Sequence, residues 1–196
     1  MIRSALALFG FARAGVAPLE DARLARALSG DGAAYASLVR DHVPVLLRVT
    51  QRVTGDADLA EDAVAETLAV AHRQLSRYQP GTSLRAFLLG IAVKRAHTLL
   101  RAERRRHHRE TAAEHAPTPS VGPEAALRGR ELTVRIRAAL EALPRKRREA
   151  ALLRLDGGLE HAEIATAMGL REDAARALVS LAMRDLRTAL DAEQTV

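Results

Sequence analysis

Apolar residues recur at helical spacing along most of this chain. Leu19 to Leu28 reads as a short helix that Ser29-Gly30-Asp31-Gly32 breaks. Ala33 to Val53 follows, with Leu38, Val45, Leu46 and Val49 at helical spacing and Pro44 inside the run as a kink or a boundary. Gly55-Asp56 interrupts again, and Asp56 or Asp58 can cap the next helix. That helix, Leu59 to Leu75, is strongly two-faced. Ala60, Val64, Leu68, Ala71 and Leu75 form its apolar stripe, and Asp58, Asp62, Glu66 and Arg73 lie elsewhere on its surface. After the turn Gln79-Pro80-Gly81-Thr82-Ser83, the apolar positions Leu84, Phe87, Leu88, Ile91 and Ala92 open another helix that continues into a basic stretch. Periodicity fails from about His107 to Gly129, where Pro117, Pro119, Gly122 and Pro123 fall, and returns from Glu131 to Asp191. No strand pattern and no internal repeat is visible.

The predicted fold is therefore all-α: two small helical domains joined by a flexible linker, the second containing a helix-turn-helix. The expected divisions are an N-terminal tail over 1–18, a helical domain over 19–106, a linker over 107–129 and a second helical domain over 130–191. Composition narrows the chemistry. Hydrophobic residues are 48% of the 196 and aromatics only 3%, so the core must be aliphatic and rich in small residues. Cysteine is absent, which removes disulfides, thiolate zinc sites and cysteine nucleophiles. No apolar run reaches the ~20 residues of a membrane span, so no membrane insertion is expected. The start, MIRSALALFGFARAGVA, faintly resembles a signal peptide, but Arg13 breaks its apolar run. The expectation is a tail, disordered or forming a partner-binding helix on Leu6, Leu8, Phe9 and Phe11.

Charge is concentrated. Lys94 to Glu110 holds seven Lys or Arg residues against Glu103 and Glu110, a surplus of five where the whole chain carries +6. With a pI near 10.8, this favours a polyanionic partner such as nucleic acid. His97, His107 and His108 do not form a compact metal-ligand set, no phosphate-binding loop or nucleophile motif appears, and no catalytic residue, metal, cofactor or small-molecule substrate is expected.

The stretch HAEIATAMGLREDAARALVS, His161 to Ser180, meets the requirements of a helix-turn-helix. Ala165 is small where two helices must touch, and Gly169 permits the turn. Ile164, Met168, Leu170, Ala175 and Leu178 pin the pair. A plain helical hairpin fits the same spacing. The second helix should present Arg171, Glu172, Asp173, Arg176, Ala177 and Ser180 outward, with Arg145 to Arg148 just ahead to meet phosphates.

The order of these parts resembles the bacterial extracytoplasmic-function (ECF) sigma factors. In the first block the resemblance rests on Gly55-Asp56, Ala60-Glu61-Asp62, Glu66-Thr67, Pro80-Gly81, Arg85-Ala86-Phe87-Leu88 and Ile91-Ala92. In the second it rests on Leu143-Pro144, Arg148, Glu163-Ile164-Ala165 and Gly169. The resemblance implies a transcription initiation factor that binds core RNA polymerase and melts promoter DNA. It implies that Asp58, Glu61, Asp62 and Glu66 bind core polymerase, a face that periodicity alone reads as merely solvated. It implies that Lys94, Arg95, Arg101, Arg104 and Arg105 hold the −10 element, and that Arg147, Arg148, Arg171, Arg176 and Ser180 contact the −35 element. An anti-sigma factor and a cytoplasmic location follow from the same likeness. Three positions depart from the family pattern. Phe87 stands for Trp and Lys94 for Asn. Arg176-Ala177-Leu178-Val179 with Leu181 replaces a more basic reading run, so two expected cations are apolar. Val179 and Leu181, if exposed, would suit a partner helix. That leaves open a sigma-like decoy or regulator that binds polymerase or an anti-sigma factor without −35 reading. A plain helix-turn-helix regulator would leave the acidic face unexplained.

Overall fold

The computed structural model describes residues 18–79, 82–111 and 127–192. Among them every regular element is helical. Helix α1 spans Pro18–Leu28 and α2 spans Gly32–Val39, capped by Asp31 Oδ1 accepting from the Ala34 N–H at 2.9 Å. The long run predicted over Ala33–Val53 is split. A 3-10 turn, Arg40–His42, leads into α3, Val43–Thr54, with Pro44 in its first turn. Pro44 is the boundary because a proline N–H is missed least at a helix start. Helix α3 closes on Gly55 at φ 73°, the left-handed conformation that a glycine adopts without strain.

Helix α4, Ala57–Arg73, starts at Asp56, whose Oδ1 accepts from the Leu59 N–H at 2.9 Å. Asp56, not Asp58, is therefore the cap. Replacing it with Ala should lower stability by about 1 kcal/mol, read as a fall in the denaturant midpoint without a change of slope. Ala60, Val64, Ala71 and Leu75 are buried as the stripe predicts, and Leu68 is partly so. Thr50 and Thr67 are fully buried without penalty, because their hydroxyls donate to the Leu46 and Ala63 carbonyls at 2.9 and 2.6 Å.

Helix α5 runs from Leu84 to Thr111, about 42 Å at 1.5 Å per residue. It passes the predicted linker start at His107, since no helix breaker occurs before Pro117 and Glu103–Arg106 pair across one turn at 2.7 Å. Helix α6 is Leu127–Ala142, so the linker's far edge is helical as well, and its middle, 112–126, lies outside the described residues, as does the tail up to residue 17. Helices α7, Arg145–Leu155, α8, His161–Met168, and α9, Glu172–Ala192, complete the chain.

The two helical blocks do not stand apart. Leu88, Leu89 and Ala92 of α5 share one continuous apolar core with Leu153, Leu159, Ile164 and Ala167 of the C-terminal block. A second cluster joins Val53, Ala63 and Ala96 to Ala139, Leu140, Leu143 and Leu152. The abundance of alanine allows this, because small side chains let helix axes approach closely.

Candidate nucleic-acid interface

Asp58, Glu61, Asp62 and Glu66 are all exposed on α4, opposite its buried stripe. Asp58, Asp62 and Glu66 lie four residues apart and so form one row. None of the four pairs with a cation among the described residues, and Asp58 in the first turn also suits the helix dipole. The outcome is an undivided anionic strip on a rigid helix.

The basic stretch is the second half of α5. Lys94, Arg101 and Arg105 are separated by seven and four residues, which places them within about 20° of one line, extending about 16 Å along the helix. Lys94, Arg101, Arg104 and Arg105 are exposed and Arg95 is half-buried. Arg101 Nε donates to the His97 carbonyl at 3.1 Å, which steadies the side chain and leaves its remaining N–H groups for a ligand. A straight row of cations on one helix face suits a phosphate backbone tracking along it. Phe87 is half-buried and packs at 5.6 Å against Tyr78, so the aromatic that replaces the family's Trp is not wholly a core residue.

The predicted helix-turn-helix is α8, the turn at Gly169 and α9. Gly169 takes φ 67°, and the Leu170 N–H donates to the Ala165 carbonyl at 2.8 Å, closing the end of α8. At the other end, the Glu160 N–H donates to Glu163 Oε2 at 2.8 Å, a reciprocal helix-start contact. Arg171, Glu172, Asp173, Arg176, Ala177 and Ser180 are exposed as expected. Two of the cations are already engaged: Arg176 pairs with Glu172 at 2.8 Å and Arg171 with Asp173 at 3.5 Å. Such exposed pairs hold their partners weakly, so both remain exchangeable for phosphate.

Two predicted −35 residues are placed differently. Arg148 is half-buried and donates to the Glu141 and Leu143 carbonyls, covering the acceptor end of α6. Arg147 pairs with Asp185 of α9 at 2.7 Å. Both therefore brace the C-terminal block, Arg148 through carbonyls at the end of α6 and Arg147 through α9. Val179, expected to be exposed, is core at 5% exposure, and Leu178 and Leu181 are half-buried. Of the apolar residues that replace the expected cations, Leu178 packs against the core, and Leu181 stays half-buried. The sequence alone did not distinguish the two because α9 buries a broad face against α6, α7 and α8.

Several residues that sequence reasoning missed lie between the blocks. His97 Nε2 of α5 is 2.8 Å from Glu149 Oε1 of α7, both side chains at 15% exposure. The approach is close but poorly aligned for a hydrogen bond. Burial pushes the Glu149 carboxyl up; the His97 imidazole, with Arg145 and Lys146, more than reverses this and holds it below its ordinary value. Arg48 of α3 donates to the Asp156 carbonyl at 3.0 Å, and Arg52, one turn on, approaches the Asp156 carboxylate at 3.7 Å. Among the described residues no group of three or more His, Asp or Glu side chains is arranged to hold a metal ion.

The chain matches the family description "Sigma-70 region 2" over residues 38–106 and "Sigma-70, region 4" over residues 133–186. It is 31% identical over 175 residues to the ECF RNA polymerase sigma factor SigD of Mycobacterium tuberculosis (strain ATCC 25618 / H37Rv), a match covering 85% of this chain and 82% of that one. It is 30% identical over 165 residues to the ECF RNA polymerase sigma factor SigE of Mycolicibacterium smegmatis, covering 81% of this chain and 63% of that relative. Among solved structures, CnrH in complex with the cytosolic domain of CnrY superposes with a TM-score of 0.67 at 22% identity, covering 89% of this chain and 98% of CnrH. The sigma factor RpoE of Bartonella quintana, in complex with the anti-sigma factor NepR, superposes with a TM-score of 0.61, covering 80% of this chain and 96% of RpoE. These last two likenesses concern the fold.

Proposed function

This chain belongs to the ECF RNA polymerase sigma factors, and from that premise we propose how its surfaces divide the work of starting transcription. The unit over 19–106 binds core RNA polymerase through Asp58, Glu61, Asp62 and Glu66 and holds the −10 element through Lys94, Arg95, Arg101, Arg104 and Arg105. The unit over 130–191 meets the −35 element through Arg171, Arg176 and Ser180, with Arg147 released from Asp185 to phosphate, while Arg148 keeps its capping role. The observation that carries this reading is the pairing of an unneutralised acidic row on α4 with a straight cationic row on α5. A polymerase surface and a displaced DNA strand have opposite charge requirements, and the two rows supply one each.

The chain performs binding and strand separation, and the polymerase performs the chemistry, so no catalytic step is assigned to it. No described helix is long and apolar enough to cross a membrane, and the proposed partners place it in the cytoplasm. The two similar solved chains are held by CnrY's cytosolic domain and by NepR, which supports an anti-sigma factor as a further partner class. The decoy reading loses part of its motive, because Val179 is core and offers nothing to a partner helix.

Run-off transcription with purified core polymerase on fragments of the source genome tests the proposal. Discrete new transcripts with shared upstream elements are expected. Absence of transcripts together with retained core binding would transfer the assignment to the decoy.

A further inference from the structure

Arg145 and Lys146 open α7, are exposed, and have no place in the division of surfaces above. The fold carries them to the basic half of α5, and His97 is where the two meet. Its ring Nε2 lies 2.8 Å from Glu149 Oε1, and Arg145 Nε lies 3.7 Å from the same oxygen. Its carbonyl accepts from Arg101 Nε at 3.1 Å. One histidine thus connects a cation of the α5 row to the first turn of α7. Lys146 is close enough to act on the same carboxyl. Burial opposes the Glu149 charge, and His97, Arg145 and Lys146 together outweigh burial.

The join is fixed in register because main chain meets main chain nearby. A Cβ built on Gly90 would stand 2.6 Å from the Ala167 carbonyl oxygen and 3.0 Å from the Ala167 Cα. Only a residue without a side chain lets α5 and α8 cross so closely. Charge on the resulting face is one-sided. Lys94, Arg101 and Arg105 run along α5, and Arg145 and Lys146 stand beside them. The acid among them, Glu149, has a side chain at 15% exposure that faces His97 and Arg145. The first turn of α7 holds no acid and no side-chain cap, so its N–H groups add a positive helix end. The chemistry of a partner follows from what the face lacks. Among the described residues, the large apolar side chains exposed to solvent are Leu28 and Leu155, and neither lies on α5 or in the first turn of α7. A peptide helix would find no apolar anchor here. No Phe, Tyr or Trp occurs between Lys94 and Arg105 or in that first turn, so bases have no stacking platform. What remains is a set of cations suited to a phosphate backbone whatever its bases.

We propose that α5 and the first turn of α7 form one composite cationic site, on which the free protein, its two blocks packed together, binds a nucleic-acid strand through its phosphates, without polymerase and without base preference. The inference rests on the reading of the α5 row as a strand-binding face and adds the second block to it. Arg145 and Lys146 each supply one further phosphate contact. Each such contact contributes about 0.7 to the slope of log affinity against log salt for a single strand.

The test is binding of the full chain, with no polymerase present, to a fluorescent oligothymidine of about eight nucleotides, within the ~4 to 16 that a basic groove of this kind accommodates. One strand per chain is expected, and oligodeoxycytidine of the same length should bind with closely similar affinity. Arg145→Gln with Lys146→Gln should flatten the salt slope by about 1.4 and weaken binding roughly 25-fold at about 0.1 M salt. Glu149 keeps His97 as its partner in that variant, so the packing of the blocks is not what changes. Arg23→Gln with Arg40→Gln removes the same charge from α1 and the turn before α3, and should leave the slope nearly unchanged. An unchanged slope in the α7 variant overturns the composite site, as do two strands per chain, a marked preference between the two bases or a parent protein that binds neither strand. An equal loss in the Arg23/Arg40 variant overturns it too, as a plain effect of net charge. Failure of the underlying reading is seen separately, as undiminished strand binding when Lys94, Arg101 and Arg105 are replaced by Ala.

Discussion

Reversing the acidic row with Asp62→Lys and Glu66→Lys should reduce affinity for core RNA polymerase by two to three orders of magnitude. Each substitution removes an attraction and adds a repulsion against a cationic partner, and paired charges at interfaces are worth about 1.5 kcal/mol or more apiece. A combined loss of about 3 to 4 kcal/mol corresponds to that range of affinity. The fold should not share the loss. Both side chains are exposed and neither pairs with a cation among the described residues, so thermal unfolding of the free protein should change little. The measurement is competition for purified core between the variant and the parent. Asp41→Lys, an exposed reversal outside α4, is the control for net charge. Equal competition by the Asp62/Glu66 variant would move the polymerase-binding surface off α4.

The second large effect is expected on DNA. Replacing Lys94, Arg101 and Arg105 by Ala removes three cations from one line of α5. For single strands each phosphate contact contributes about 0.7 to the slope of log affinity against log salt, so the slope should flatten by about 2. At about 0.1 M salt that amounts to roughly a hundredfold weaker strand binding. Core binding should be retained, since the acidic row is on another helix. A salt titration of strand binding checks this. An unchanged slope would mean that phosphates do not run along this face.

These two surfaces were legible in the sequence for a simple reason. The α4 and α5 rows are local patterns, fixed by spacings of three, four and seven residues within one helix. The same holds for the Gly169 turn, whereas the sequence left Asp56 and Asp58 as alternative caps and Pro44 as a kink or a boundary, and the structure chose Asp56 and the boundary. The linker edges were misjudged because fading amphipathicity after His107 was taken for loss of helix, although no breaker stands before Pro117. Val179 was misjudged because a helix packed on several sides buries more than one stripe, and the number of neighbours is not written in its spacing. Arg148 looked like a surface cation because nothing near it in sequence announces that the end of α6 needs a donor.

Sequence by itself determined that this chain is helical, where several of its helices begin, and which faces of α4 and α5 carry acid and base, because those properties depend on contacts a few residues apart. The tertiary structure alone decided that the two blocks share a core and which face of α5 they share it on. His97 and Glu149 are 52 residues apart, and Gly90 meets Ala167 across a still longer stretch of chain. Such pairings arise from the three-dimensional fit of whole helices. The glycine at position 90 was visible all along, but only the crossing helix explains why nothing larger stands there.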